Sequence, residues 1–222
     1  MDVAHALAAE GAIEGTLVWT KRQTRGRGRL GRTWESPEGG VYFSIILRPE
    51  RPATETPQLS LVAGLAATEA IRECVNLSPR IRWPNDVFLG GKKVAGILTE
   101  VKDGAVVLGI GINVTTNPSD LPETATSLTI AGATAPEPYF LSARLYRRFF
   151  RWYDVWTGTG FLPVRNALRA HMALLGEVVH LTAGSTEFEG TAADLDEAGR
   201  LLVRLDSGVI RSFEMGEVSL LT

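Results

Sequence analysis

The sequence has little of what metal-dependent or nucleophilic enzymes usually carry. It contains one cysteine, Cys74, and three histidines, His5, His171 and His180, which lie far apart. A single cysteine excludes an internal disulfide and fits a reducing compartment, so we expect the protein in the cytoplasm. Since the histidines lack metal-ligand spacing, a catalytic zinc or a serine–histidine triad is disfavoured. Cys74 lies among apolar residues of a predicted helix, where we expect it to pack.

Long apolar runs are also missing. No run approaches the roughly 18 residues that a membrane span needs, and residues 1–11 are predicted to form an alanine-rich helix rather than a signal peptide. The apolar fraction of 45% nevertheless supports a substantial core. The formal net charge is only -2, and residues 175–222 carry nine acids and three bases. So acidic a segment disfavours a dedicated nucleic-acid-binding protein.

The most unusual stretch is the basic loop, which we define as residues 23–34. Six cations fall between Lys21 and Arg32, with three glycines among them. Glycine permits close backbone approach to a ligand, and guanidinium forks suit phosphate and carboxylate oxygens. This pattern indicates a loop that binds an anionic ligand, with a solvated surface loop or an RNA contact as alternatives. A Walker loop is excluded because no Gly-Lys-Ser/Thr follows, and a Rossmann fingerprint because a strand follows instead of a helix.

Periodicity and turn residues predict an α+β protein with two domains. Helices are predicted over 2–10, 58–76, 139–156 and 161–174. Strands and hairpins are predicted over 16–20, 41–47, 80–89, 94–101 and 106–114. Short strands at 177–181, 186–191, 201–205 and 209–214 then indicate a small β-barrel of the SH3 type. We therefore predict a main domain over residues 1–174 and an SH3-like β domain over residues 175–222.

The remaining polar residues suit electrostatic catalysis at phosphorus. They are arginines, the pair Lys92-Lys93, Asp86 after a Trp-Pro-Asn turn, and several glycines in strands. In phosphoryl chemistry, positioning and charge neutralisation supply most of the catalysis. Because adjacent strand residues face opposite ways, only one of the two lysines can enter a site.

Four motifs resemble those of the biotin–protein ligases. In the family's order and spacing, they are Gly26-Arg27-Gly28-Arg29-Leu30-Gly31-Arg32, Arg82-Trp83-Pro84-Asn85-Asp86, Lys93-Val94-Ala95-Gly96-Ile97-Leu98 and Gly109-Ile110-Gly111-Ile112-Asn113. The resemblance covers essentially the whole chain. It implies a mixed sheet with helices, similar to the catalytic fold of class II aminoacyl-tRNA synthetases. It also implies that ATP activates biotin as biotinyl-5′-AMP, which a lysine of a biotin carboxyl carrier protein then attacks.

The resemblance also assigns roles to individual residues. Catalytic roles fall to Lys93, Arg29 and Asp86. The implied biotin site comprises Gln23, Gly26, Arg27, Gly28, Arg29, Lys93, Gly96, Ile97, Leu98 and Gly109. The implied ATP site comprises Arg29, Arg32, Trp34, Asn85, Lys93, Gly111 and Asn113. No metal ligand is assigned with certainty; Mg²⁺ is expected to arrive with ATP, and Asp86 is a candidate ligand.

Two alternatives and two departures from the family pattern accompany this interpretation. A lipoate–protein ligase is the closest alternative, and a nucleic-acid-binding protein that uses the basic loop is the more distant one. The winged-helix domain of the larger regulatory members has no counterpart here, so we expect no DNA partner and no repressor function. The family's Ser-Thr pair before the first helix is also absent, so we expect Met1 to be a late start. No membrane partner is expected, and a homodimer is left open.

Overall fold

A six-stranded sheet carries the larger part of the computed structural model, which describes residues 1–214 and 216–220. Its strands are β1 (Leu17–Thr20), β2 (Gly40–Leu47), β3 (Arg80–Arg82), β4 (Asp86–Leu89), β5 (Lys92–Lys102) and β6 (Ala105–Asn113). They lie in the order β1-β2-β6-β5-β4-β3, and each neighbouring pair is antiparallel. Two isolated parallel bridges, Ile81–Met172 and Lys93–Ala125, make the sheet mixed, as predicted.

Helices cover one face of this sheet with the main hydrophobic core. These helices are α2 (Gln58–Cys74), α3 (Pro138–Thr159) and α4 (Phe161–Arg169), while α1 (Asp2–Ala9) lies on the opposite face. Helix α2 contacts β5 as well as α3 and α4, and 12 of its 17 residues are therefore buried. Alternation along β2 sends Val41, Phe43, Ile45 and Leu47 into this core. Within the described residues, no helix is both long and apolar enough to cross a membrane.

The opposite face of the sheet is covered over only part of its length. Helix α1 packs there on Ile46, Ala105 and Val107. Because side chains alternate along a strand, the same face carries Gly109 and Gly111 farther along β6. These glycines leave β6 without side chains on this face beyond α1, and the candidate site lies at that point.

The C-terminal residues form a second, five-stranded antiparallel sheet. Its strands are β7 (Val178–Ala183), β8 (Thr186–Leu195), β9 (Leu201–Leu205), β10 (Ile210–Phe213) and β11 (Glu217–Leu220), in the order β10-β9-β8-β7-β11. Strand β11 is not predicted from the sequence, because a strand of four residues offers too little alternation to be detected. Strands β10 and β11 are the two edges, and no ladder joins them within the described residues, so the predicted barrel is not closed.

The turn between β8 and β9 docks this sheet against the larger one. Gly199 has φ +81°, and a Cβ there would lie 3.0 Å from Leu61 Cδ1, so the backbone approaches α2 closely. Trp83 Nε1 donates a 3.0 Å hydrogen bond to the Gly199 carbonyl oxygen. Gln58 Nε2 donates to the Glu197 carbonyl oxygen at 3.3 Å. The second sheet is thereby attached next to the Trp-Pro-Asn-Asp turn that enters β4.

Candidate active site

A cavity of about 280 Å³ lies between the basic loop, the glycines of β5 and β6, and the start of β4. Fourteen of the predicted site residues line it: Gln23, Arg27, Gly28, Arg29, Arg32, Trp34, Asn85, Asp86, Lys93, Gly96, Ile97, Leu98, Gly109 and Gly111. Two others, Gly26 and Asn113, are not among the lining residues. The structure thus brings together nearly all of the residues singled out in the sequence, and their individual roles stay predictions.

Glycines form the floor of this cavity. Gly96 of β5 lies directly opposite Gly111 of β6, and Leu98 lies opposite Gly109. The Trp34 indole packs on this floor, since a Cβ at Gly111 would lie 2.6 Å from Trp34 Nε1 and one at Gly96 3.0 Å from the ring. The predicted room above the glycines is therefore occupied by an aromatic side chain that a ligand entering there must displace.

Met1 fills the neighbouring part of the floor. A Cβ at Gly109 would lie 2.9 Å from Met1 Sδ. The terminal amine of Met1 is also partly buried, and this burial lowers its pKa. No site role is predicted for Met1, because neither a motif nor a charge marks it. Its placement follows from the packing of α1 on the same sheet face.

The basic loop folds back on itself above the floor. Gly28 N donates to Arg32 O at 2.7 Å, and Trp34 N donates to Gly26 O at 3.1 Å. A Cβ at Gly26 would lie only 2.1 Å from Trp34 O. Gly26 is therefore needed to close the loop, which explains why it lies outside the cavity lining.

Arg27 ties the loop to α1 and β5. Its guanidinium lies 2.7 Å from Asp2 Oδ1 and 3.1 Å from Glu100 Oε2. His5 Nε2 contacts the same Glu100 oxygen at 2.7 Å. These contacts hold Arg27 at the cavity wall, which Met1 also lines.

A β-bulge decides which lysine faces the cavity. Val87 pairs with Ala95 but Phe88 pairs with Lys93, so Val94 has no partner on β4. In a regular ladder Lys92 would share the face of Gly96 and Leu98. The extra residue reverses this parity and places Lys93 on the cavity side, while Lys92 is exposed.

Lys93 pairs with the one acid that follows the Trp-Pro-Asn turn. Lys93 Nζ lies 2.7 Å from Asp86 Oδ1, and both side chains are mostly buried. Burial raises the pKa of the Asp86 carboxyl, and the cations Lys93, Arg29 and Arg82 oppose that rise. Three cations around one carboxylate leave this end of the cavity positive, which suits a ligand with more than one negative charge.

Arg29 is fixed beside this pair. Its Nη1 donates a 2.9 Å hydrogen bond to Asn85 Oδ1, and Asn85 Nδ2 donates in turn to Ile97 O at 2.7 Å. Burial lowers the pKa of Arg29, although a guanidinium stays protonated at neutral pH. Arg29 and Lys93 can therefore contact two anions at once and reduce the repulsion between them.

Some lining residues are not predicted from the sequence. Arg82 belongs to a quoted motif without a role, and the structure places its guanidinium 3.7 Å from the centre of the Phe88 ring at the cavity edge. Glu217 of β11 pairs with Arg32 of the basic loop. The contact between Glu217 and Arg32 is not predicted, because β11 itself is not predicted. No sequence pattern therefore places the C-terminal segment near the basic loop.

The fit to a divalent cation is limited. Within residues 1–214 and 216–220, no group of three or more His, Cys, Asp or Glu residues is placed to hold a metal ion. Asp86 is paired with Lys93 and flanked by Arg29 and Arg82. A carboxylate whose charge is already balanced by neighbouring cations is a weak ligand for Mg²⁺. This ion usually binds one or two carboxylates together with substrate phosphates. The residues present thus fit Mg²⁺ only as an ion that a phosphate ligand brings with it.

Two family profiles match this chain. Residues 7–117 match the profile described as "Biotin/lipoate A/B protein ligase family". Residues 174–221 match the profile described as "Biotin protein ligase C terminal domain". The matches cover both sheets, and the first includes the basic loop, Asp86 and Lys93.

Individual proteins are similar over nearly the whole chain. The bifunctional ligase/repressor BirA of Bacillus subtilis is 37% identical over 216 residues, which are 93% of this chain and 66% of that protein. The biotin–[acetyl-CoA-carboxylase] ligase of Paracoccus denitrificans is 36% identical, with 92% of this chain and 91% of that protein covered. The structure of the Aquifex aeolicus biotin protein ligase in complex with biotin and ATP has a TM-score of 0.86 and 34% identity, covering 98% of this chain and 94% of that one.

Proposed function

The chain belongs to the biotin/lipoate A/B protein ligase family, and on that premise we propose that it activates biotin with ATP and transfers it to a lysine of a carrier protein. In the first step a biotin carboxylate oxygen attacks the α-phosphorus of ATP, and the bond to pyrophosphate breaks. In the second, the lysine amine attacks the acyl carbon, the bond to AMP breaks and the amine loses a proton. The named relatives and the C-terminal profile favour biotin over lipoate.

Charge neutralisation is the main task of the protein in the first step. A carboxylate and a polyphosphate repel each other, and fixed cations that need no reorganisation lower this barrier. Arg29, held by Asn85, and Lys93, held by Asp86, are the fixed cations at the positive end of the cavity. Both side chains lie within one cavity with the glycine floor, on which we place the biotin ring and adenosine once Trp34 and Met1 have moved off it.

Proton removal is the task in the second step. An attacking lysine must lose a proton, and Asp86 is the carboxylate that lies deepest in the positive end of the cavity. Since burial raises its pKa, Asp86 is a stronger base than an exposed aspartate. We assign it the role of proton acceptor.

We expect Mg²⁺ to bind as part of the magnesium–nucleotide complex. Bound to ATP, it would neutralise phosphate oxygens and support departure of pyrophosphate. Because Asp86 is engaged by Lys93, the residues that meet the magnesium–nucleotide complex are the cations of the cavity.

The observation that carries this proposal is the convergence of Arg29, Asp86 and Lys93 on one glycine-floored cavity. It is tested by incubating the protein with labelled biotin, Mg²⁺–ATP and a purified biotin carrier domain. Label should appear on the carrier only when ATP is present. A carrier whose target lysine is replaced by arginine is the matched control, and label on that variant, or transfer without ATP, would contradict the proposal.

A further inference from the structure

Ser36 closes the base of the basic loop. It is 5% exposed and is not among the residues that line the cavity. Its carbonyl oxygen accepts a 3.1 Å hydrogen bond from the main-chain nitrogen of Gln23, the first residue of the loop. Its hydroxyl lies 2.6 Å from Gln23 Oε1 and 3.1 Å from the Trp34 carbonyl oxygen. Because a hydroxyl has one proton to donate, the shorter contact indicates that Gln23 Oε1 is the acceptor.

Strand β2 and the loop itself hold Ser36 in place. Tyr42 of β2 is fully buried, and its hydroxyl donates to the Pro37 carbonyl oxygen at 2.9 Å. On the other side, a Cβ at Gly26 would lie 2.7 Å from Ser36 Oγ and 3.0 Å from Gln23 Oε1. The Ser36 hydroxyl is therefore packed against the loop backbone and tied to the sheet, so it offers Gln23 a fixed partner.

Gln23 is the amide side chain in the cavity that is available to a ligand. The cavity is lined by two neutral amides, Gln23 and Asn85. Both ends of the Asn85 amide are engaged, by Arg29 and by the Ile97 carbonyl oxygen. Gln23 has its oxygen bonded to Ser36, and its Nε2 donates to no protein group among the residues that the structure describes. A buried polar ring must find hydrogen-bond partners when it leaves water, and Gln23 is placed to supply one.

We propose that Ser36 is a positioning residue for biotin recognition, which fixes the side-chain amide of Gln23 toward the ureido ring. This inference rests on the proposed function, because the ring is a ligand only if the cavity binds biotin. A glutamine side chain without partners populates several rotamers, of which a ligand selects one. The Ser36 hydroxyl restricts these rotamers before biotin arrives, and binding then costs less conformational entropy.

Equilibrium binding of biotin to Ser36→Ala, measured without ATP, tests this role. A typical net hydrogen bond corresponds to about three- to tenfold in affinity, so we expect the Kd for biotin to rise by that factor. The kcat of adenylate formation at saturating biotin and ATP should stay within about twofold, because no hydrogen bond joins Ser36 to Arg29 or Lys93. An unchanged Kd, or a loss confined to kcat, would overturn the proposal.

Ser142→Ala is the matched control. Ser142 is 4% exposed, and its hydroxyl accepts from Trp19 Nε1 at 3.0 Å and donates to the Pro138 carbonyl oxygen at 2.8 Å. It belongs to α3 and does not line the cavity. The Kd of this variant for biotin should therefore stay within about twofold of the original value. An equal rise in both alanine variants would show that loss of any buried serine hydroxyl weakens binding, which contradicts a specific role for Ser36.

A double-mutant cycle shows whether Ser36 acts through Gln23. If it does, adding Ser36→Ala to Gln23→Ala should change the Kd for biotin by less than about twofold. Gln23→Ala alone supplies the reference. Full additivity of the two losses would overturn the proposal, since Ser36 would then affect biotin by another route.

The unsubstituted protein allows a test that does not depend on a stable variant. Gln23 and Gln58 are the two glutamines of the sequence, so selective labelling of glutamine leaves two side-chain amides to follow by NMR. Gln58 is the internal control, because its buried amide is bonded at both ends, to Trp156 Nε1 and to the Glu197 carbonyl oxygen. Biotin should shift the Gln23 signal and leave the Gln58 signal in place. Biotin binding without a shift at Gln23 would contradict this inference alone, whereas absence of biotin binding would contradict the proposed function and this inference with it.

Discussion

Replacing Lys93 by alanine removes the ammonium group that faces Asp86. Its neighbour Lys92 offers a matched control, since Lys92 has the same chemistry and lies one residue away but is exposed outside the cavity. The β-bulge at Val94 is the reason that the two differ. Lys93→Ala and Lys92→Ala therefore remove equal charge from the chain and differ in whether that charge lies in the cavity.

The expected magnitude follows from the geometry of the pair. Lys93 Nζ lies 2.7 Å from Asp86 Oδ1, and its side chain is 29% exposed, so it acts in a partly dehydrated site. A donor that stabilises charge in the transition state there is typically worth about 3 kcal/mol, or roughly a hundredfold in rate. Lys92→Ala should cost less than about threefold, as expected of an exposed charge.

The fold should survive this substitution, because Arg29 and Arg82 remain near Asp86. The pKa of Asp86 should nevertheless rise, since Lys93 provides the largest opposition to the effect of burial. Adenylate formation from labelled biotin is the primary measurement, and NMR titration of the Asp86 carboxyl is the second.

Comparable rate losses from the two alanine variants would refute the assignment of Lys93. An unchanged or lowered pKa of Asp86 in Lys93→Ala would contradict the ion pair on which the magnitude rests. A large fall in melting temperature for Lys93→Ala alone would show that the rate loss reports unfolding instead of chemistry.

Three further predictions concern the loop, the core and the surface charges. Amides of residues 24–32 should become further protected when biotin and ATP bind, because an anion relieves the repulsion among arginines that Asp2, Glu100 and Glu217 offset only in part; protection that ligands leave unchanged would argue against this. Trp156→Phe should lower the free energy of urea unfolding by about 1–3 kcal/mol, because Trp156 Nε1 donates to buried Gln58 Oε1 at 2.6 Å, and Trp152→Phe, at a half-buried site, should cost less. The hydrogen bond from Arg169 lowers the pKa of Asp194. The pair therefore stabilises the fold above the ordinary aspartate pKa of about 4, and this stabilisation is lost as pH falls through the lowered pKa. The difference in the free energy of unfolding between the original protein and Asp194→Asn should therefore vanish in acid.

Long periodic elements could be predicted from the sequence. Helix α2 and strands β2 and β6 carry enough apolar residues for their period to be clear, and the structure places them within a few residues of the predicted bounds. The predicted helix 161–174 ends early, at Arg169, because His171 O and Ala173 N pair with Ile81 instead. That competition is a long-range contact, which local propensity cannot reveal.

The sequence singles out residues that the structure places around one cavity, but it does not predict how they are held there. Motifs identified Arg29, Asp86 and Lys93, but strand parity with Gly96 and Leu98 would have favoured Lys92. The bulge that reverses this parity depends on the pairing of β4 with β5, which the sequence of β5 alone does not specify. Likewise, the segment 124–126 has no periodicity, so its bridge to Lys93 appears only when the chain is folded.

The central claim is that this cavity forms an acyl-adenylate from biotin. ATP–pyrophosphate exchange tests it most directly, with biotin, with lipoate and with neither acid added. We predict exchange with biotin, little or none with lipoate and none without an acid, and we predict that Lys93→Ala abolishes most of the biotin-dependent rate. Exchange that requires lipoate, or that proceeds equally without any acid, would contradict the account.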